Sequence, residues 1–309
     1  MLCLCVAALA SCRAGQPRPY RIAGRFGPIV GNELVTGRAV SPHDGPVLLL
    51  TGGRALISID IPARRATRHP IDAEPAGGET MWGLARLAGG SLWTLNGRHQ
   101  LLELREDGSA GRAIPLRDPH VALYGEGNRL LYDRLDFEPP AAALTIGRPG
   151  EEPGTVWGTM RTRALPLARA SVAALNLVSC GVGLAGERPC WFPDETAITL
   201  TTSGGVSRRL ELAGLQRVAA EVLLTSDNPP RPIRDVYVEP GGTIWVLSSG
   251  TADPGRRDWP GGWLLAQYSA GGRLVRTGRL PDSGRLILRA DAAGCVLLSG
   301  RGEVIEVRS

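Results

Sequence analysis

One hairpin pattern is written into this chain three times. Val47 to Ile59 reads VLLLTGGRALISI, Leu92 to Leu104 reads LWTLNGRHQLLEL, and Cys295 to Val307 reads CVLLSGRGEVIEV. Each copy is an apolar run, a Gly-containing turn and an alternating run such as LISI, LLEL or VIEV. Alternation with a period of two puts apolar side chains on one face of a strand and polar ones on the other. Thr-Gly-Gly, Asn-Gly-Arg and Ser-Gly-Arg-Gly supply the turns, with glycine for the positive-φ positions that a tight hairpin needs. Each copy is therefore expected to form a β-hairpin.

Weaker versions of the second strand start at Ala55, Gln100, Ala143, Ala197, Trp263 and Glu303. A spacing of roughly fifty residues is that of propeller blades, four-stranded sheets that cannot bury both faces alone and so stack into a ring. The expected fold class is all-β, a six-bladed β-propeller occupying residues 20–309 as one domain. Inner strands are expected at WGLARL, VALYG, AALNLV, DVYVEP and LILRAD. The last hairpin reaches almost to Ser309, which leaves the sixth blade without an outer strand and with an unpaired edge. YRIAGRF, Tyr20 to Phe26, is expected to supply that strand, so that an N-terminal strand completes the last blade and closes the ring. VAAEVLLTSDN, Val218 to Asn228, has no place in this scheme, and seven blades is the alternative count.

Composition agrees with many short elements joined by turns: Gly 41 and Pro 24 are both high. The net charge of +5 rests on 35 cationic residues, all of them arginine, scattered singly among Ala, Gly and Pro. A nucleic-acid footprint needs clustered cations, so nucleic acid is excluded as a partner. His43, His69, His99 and His120 show no metal-ligand spacing, and there is no Cys-x-x-Cys or Gly-x-Ser-x-Gly motif.

The connections between second and third strands are uneven. Blades one, two and six use tight turns, whereas blades three, four and five carry DRLDFEPPAA, ERPCWFPDET and SSGTADPGRRDWPGG. These three belong to adjacent blades and to one face of the ring. They bring Phe137, Trp191, Phe192 and Trp259 beside Asp194, Glu195, Arg256, Arg257 and Asp258, a mixture suited to a contact surface. Cys180 and Cys190 can form a disulfide if a turn falls between them, pairing them across adjacent strands.

Two resemblances extend this reading. YSAGGRLVRTGRL, Tyr268 to Leu280, and EPGGTIWVL, Glu239 to Leu247, resemble the turns of six-bladed NHL-like propellers of secreted bacterial proteins. The apolar run Leu2 to Ala10, followed by LASC ending at Cys12, resembles a bacterial lipoprotein signal. It implies a signal peptide over residues 1–11, lipidation of Cys12, a short tether over 12–19, and a periplasmic or surface location in the cell envelope.

The function expected from these features is a non-enzymatic, lipid-anchored extracytoplasmic propeller that needs no cofactor. Its partner would be a protein, peptide or glycan of the cell envelope, and its only contact with the membrane the lipid on Cys12. The alternative is a metal-dependent hydrolase or lyase resembling the gluconolactonase-like propellers. That resemblance implies a divalent cation such as calcium in the central tunnel, with Glu33, Asn176 and Asp235 as ligands.

Overall fold

The computed structural model describes residues 20–31, 33–41, 45–52, 54–71, 80–117, 120–134, 142–151, 155–159, 175–184, 186–202, 204, 207–215, 218, 220–225, 231–249 and 263–308. Six sheets are arranged as the blades of a propeller. β1 (Arg21–Phe26) is followed by blade one: β2 (Val35–Val40), β3 (Val47–Thr51), β4 (Ala55–Asp60) and β5 (Arg65–Pro70). Blade two is β6 (Trp82–Arg86), β7 (Leu92–Asn96), β8 (Gln100–Leu104) and β9 (Ala110–Pro115). Blade three is β10 (His120–Glu126), β11 (Arg129–Arg134), β12 (Ala142–Gly147) and β13 (Thr155–Thr159). Blade four is β14 (Ser179–Cys180), β16 (Glu187–Trp191), β17 (Ala197–Thr202) and β18 (Ser207–Glu211), with β15 (Val182–Gly183) lying between the first two in sequence. Blade five is β19 (Asp235–Val238), β20 (Ile244–Ser249), β21 (Trp263–Tyr268) and β22 (Leu274–Arg279). Blade six is β23 (Gly284–Asp291), β24 (Gly294–Ser299) and β25 (Val304–Arg308), completed by β1.

The alternation in the repeated hairpin becomes a division of labour between neighbouring blades. In β3, Leu48 and Leu50 pack toward Met81, Leu84 and Leu92 of the second blade. The intervening Val47 and Leu49 pack toward Leu288, Leu298 and Val304 of the sixth. Both faces of the strand are buried, so all five residues VLLLT are buried, while the outer strand β5 is largely exposed. Comparable apolar clusters join each of the other neighbouring pairs around the ring. Each fully buried Leu, Ile or Val contributes about 1.5–3 kcal/mol in such a setting.

The seam forms where the sequence places it. β1 pairs antiparallel with β25 from Arg21↔Arg308 to Phe26↔Val304, with a register shift between Ile22 and Gly24. Arg25 meets Glu303 at 2.7 Å across it, and Arg64, from the β4–β5 turn of blade one, meets Glu306 of β25 at 3.0 Å. Ahead of the strand, the Tyr20 amide donates to the Arg279 carbonyl at 2.9 Å, and its ring is buried in the cluster between blades five and six.

Three details depart from the sequence reading. In the hairpin turns the left-handed position is the last turn residue: Arg54 (φ 56°), His99 (φ 56°) and Gly302 (φ 78°), so two of the three copies place a non-glycine there. A three-residue hairpin loop ends in this conformation whichever residue occupies it. Within AALNLV, Leu175 and Asn176 are helical, and the inner strand of blade four is the two-residue β14 just downstream. The chain then crosses over, and β15 pairs parallel with β19 of blade five. Gly181 permits this crossing, since a Cβ there would lie 2.0 Å from the Val236 carbonyl oxygen. Finally, within Val218 to Asn228, the described Ala220–Thr225 is a short helix and not a strand of a further blade.

Candidate functional site

In an antiparallel meander the inner strand starts, and the second strand ends, at the same end of the blade. A cavity of about 400 Å³ opens at that end of the ring, on the propeller axis. Its wall is built from the starts of all six inner strands, including Thr36, Gly83, Ala122, Ser179, Asp235 and Leu286. The face is the one to which the connections between second and third strands belong. The backbone of Arg231 is held to Ser249, the last residue of β20, by bonds of 2.6 and 3.0 Å through the serine hydroxyl.

Five arginines line this cavity: Arg38, Arg188, Arg231, Arg234 and Arg285. Arg38 reaches from blade one and grips Asp235 of blade five with both terminal nitrogens, at 2.5 and 2.7 Å. It also donates to the Ile287 carbonyl, while the Ile287 amide donates to the same carboxylate at 2.6 Å. With side chains 7% and 3% exposed, the two groups form a buried, bidentate pair that ties blades one, five and six. Arg188, in β16, donates to the Gly181 carbonyl and lies 3.5 Å from Glu126. Burial pushes the Glu126 carboxyl up and the Arg188 guanidinium down, and their mutual attraction opposes both shifts.

The other three cations are treated differently. Among the described residues, no carboxylate forms an ion pair with Arg231, Arg234 or Arg285. Arg285 donates to the Glu33 carbonyl at 3.3 Å, Arg234 stacks 5.7 Å from the Trp263 ring, and the Arg231 Nε is buried without a hydrogen-bond partner. Burial lowers the affinity of Arg231 for its proton. It does the same for Arg234, where repulsion from Arg231 and Arg285 adds to the effect and attraction from Asp235 opposes it. At the rim, Leu34 is 57% exposed.

The residues singled out from the sequence fall into three groups. Cys12, Phe137, Arg256, Arg257, Asp258 and Trp259 lie outside the described residues. Trp191, Phe192 and Glu195 are buried, which corrects their placement on a contact surface. ERPCW is itself a strand, so Trp191 lines the cavity wall with its indole NH on the Ile233 carbonyl at 3.2 Å. Phe192 joins the cluster between blades three and four, and Glu195 pairs with Arg209 at 2.9 Å. Asp194 is half-buried beside them. Cys180 and Cys190 face each other across β14 and β16 and are disulfide-bonded.

Each of the implied metal ligands has another partner. Asp235 is occupied by Arg38 and the Ile287 amide, and Asn176 is buried with its own partner. Glu33 pairs with Arg68 at 2.6 Å, and the hydrogen bond from Arg68 is the main reason its carboxyl is held below the ordinary range. Among the described residues no cluster of three His, Cys, Asp or Glu side chains converges. A cavity with five guanidinium groups and one engaged carboxylate does not fit a divalent cation, which needs several free oxygen donors.

Sequence reasoning missed the arginine cluster because no two of its members in different blades are close in sequence. A blade-by-blade alignment carries the signal: TGRAV, PIRDV and SGRLI each put an arginine near the start of the inner strand in blades one, five and six, which are consecutive around the ring.

No protein-family model matches the chain, and no curated protein sequence does. Among solved structures, a streptogramin B lyase aligns at 13% identity over 94% of this chain and 97% of that one, with a TM-score of 0.51. A BBS1N chain, solved in complex with ARL6DN, aligns at 11% identity over the same shares, with a TM-score of 0.50. At these identities the likeness is one of fold, and the fold is the six-bladed β-propeller.

Proposed function

We propose that this chain is a binding propeller of the bacterial cell envelope, held to a membrane by lipid on Cys12, which docks a protein, peptide or glycan on the face bearing the axial cavity. The observation that carries this reading is the cavity itself, open on that face and lined by arginines whose counter-charge the protein supplies only in part. A propeller ring offers a rigid frame for loops that contact a partner, and BBS1N, of the same fold class, was crystallised with a protein partner. Tunnel chemistry of the metal-dependent kind finds no support in the donor set.

The test is a photo-cross-linking residue placed at Leu34 on the cavity rim, in cells making the full chain, with Val275 on the outer strand of blade five as the control. Both positions are more than half exposed. An adduct formed from Leu34 and not from Val275 is the expected result. Equal labelling from both, or none, would overturn the assignment of the face. Fractionating the same cells reports the anchor: the chain should sediment with membranes and a Cys12→Ala chain should not.

A further inference from the structure

Among the described residues, Arg231, Arg234 and Arg285 have no carboxylate partner, which raises a question that the fold does not answer. A buried guanidinium costs free energy unless an opposite charge and hydrogen-bond acceptors surround it. Arg38 has both, and Arg188 has the Glu126 carboxylate 3.5 Å away and the Gly181 carbonyl as an acceptor, although its Nε makes no hydrogen bond. Arg231, Arg234 and Arg285 share one cavity of about 400 Å³ with each other instead. Solvent does not fully relieve this, because the Arg231 Nε is buried without a partner. Arg234 is positioned by stacking on Trp263 and Arg285 by its bond to the Glu33 carbonyl, so both present their remaining N–H groups in defined places.

We infer that the mouth of the cavity is an oxyanion site, in which Arg231, Arg234 and Arg285 grip a carboxylate or phosphate group carried by the docked ligand. This deepens the proposed docking reading and rests on it. The guanidinium fork matches either oxyanion through paired N–H···O bonds, which is why this side chain, more than lysine, suits such a site. Burial first, and then repulsion from Arg231 and Arg285, depress proton affinity at Arg234, and an anion entering the cavity offsets that repulsion. Leu34 and Trp263 flank the cations with apolar surface, which suits an anionic group on a partly apolar carrier.

The experiment is calorimetric titration of the full chain with two probes, tricarballylate as the carboxylate and inorganic pyrophosphate as the phosphate. Saturable binding of at least one, at one site per chain and weakening as sodium chloride is raised, is expected. Preference for tricarballylate assigns the site to carboxylates, and preference for pyrophosphate to phosphate esters. The Arg234→Gln/Arg285→Gln chain should bind at least tenfold more weakly, while Arg273→Gln, in an exposed turn between β21 and β22, should bind as the unaltered chain does. Should the double variant fold poorly, Arg285→Gln alone is decisive, since its side chain makes only the bond to the Glu33 carbonyl among the described residues. Equal binding by the unaltered chain and these variants, or binding of neither probe, would overturn the inference. If cross-linking at Leu34 persists in that case, the oxyanion site alone falls; if it too is absent, the docking face falls with it.

Discussion

Among the described residues, blades one and two bury no carboxylate, whereas blades three to five do. The first pair enclose Thr51, Thr94 and Asn96 as their buried polar groups. The others enclose Glu126, Asp133, Glu195 and Asp235. Arg38 is the member of blade one that belongs with the second set, since it crosses the axis to Asp235. The division follows the loops: the uncharged blades have tight turns between second and third strands, and the charged ones have the longer connections. Ring geometry alone needs only the aliphatic pattern of the first two blades. The costlier interior of the other three marks the side of the molecule where something besides closure has shaped the sequence.

The largest test of this contrast is Asp235→Ala. It would leave Arg38 buried without its counter-charge, and a loss of about 3–5 kcal/mol is expected in urea unfolding. A loss below about 1 kcal/mol would mean that blade five tolerates disruption like an ordinary surface site and would erase the contrast. A smaller effect is expected from the Cys180→Ala/Cys190→Ala chain. The bond joins residues 10 apart, and removing it should cost about 2–3 kcal/mol in the chain-entropy model. An unchanged unfolding midpoint under oxidising conditions would show that blade four does not depend on it.

The smallest effect is expected at Asp133, whose Oδ1 lacks a hydrogen-bond partner and whose carboxyl burial raises well above its ordinary value of 3.8. A raised folded-state value means that stability is fully present at acid pH and is lost as the pH climbs from the unfolded value through the folded one. Asp133→Asn does not titrate, so its stability relative to the unaltered chain should rise with pH above the ordinary aspartate range. Parallel pH profiles for the two chains would show that the group is not strained by burial.

How much of this was legible beforehand differs by level. The ring could be read because its signal is local and repeated. Alternating runs around a turn specify a hairpin wherever they occur, and the leftover edge of the sixth blade called for Tyr20 to Phe26. The inner strand of blade four could not, because the β14–β15 crossing depends on a parallel pairing to a strand more than fifty residues later. Trp191 and Phe192 were assigned to the contact surface for a related reason. Trp191 and Phe192 look like loop aromatics until ERPCW is seen to be a strand, after which their burial follows. The arginine site exists only once the ring is closed, since closure alone brings Arg38 to Asp235 and Arg285 alongside Arg231 and Arg234.

The β1–β25 seam has a mechanical consequence. Arg25 and Glu303, bonded across it, are 278 residues apart, and β1 is the first strand among the described residues. Any pull on the residues that precede Tyr20 would therefore meet the Tyr20 anchor on blade five first and the clasp of the ring directly after it. The Tyr20 amide bond to Arg279 and the burial of its ring stand between that load and the seam, so part of the tension passes into blade five. A propeller tethered in this way would carry strain along its own closure, and the strength of one strand pair would set the force at which the ring opens.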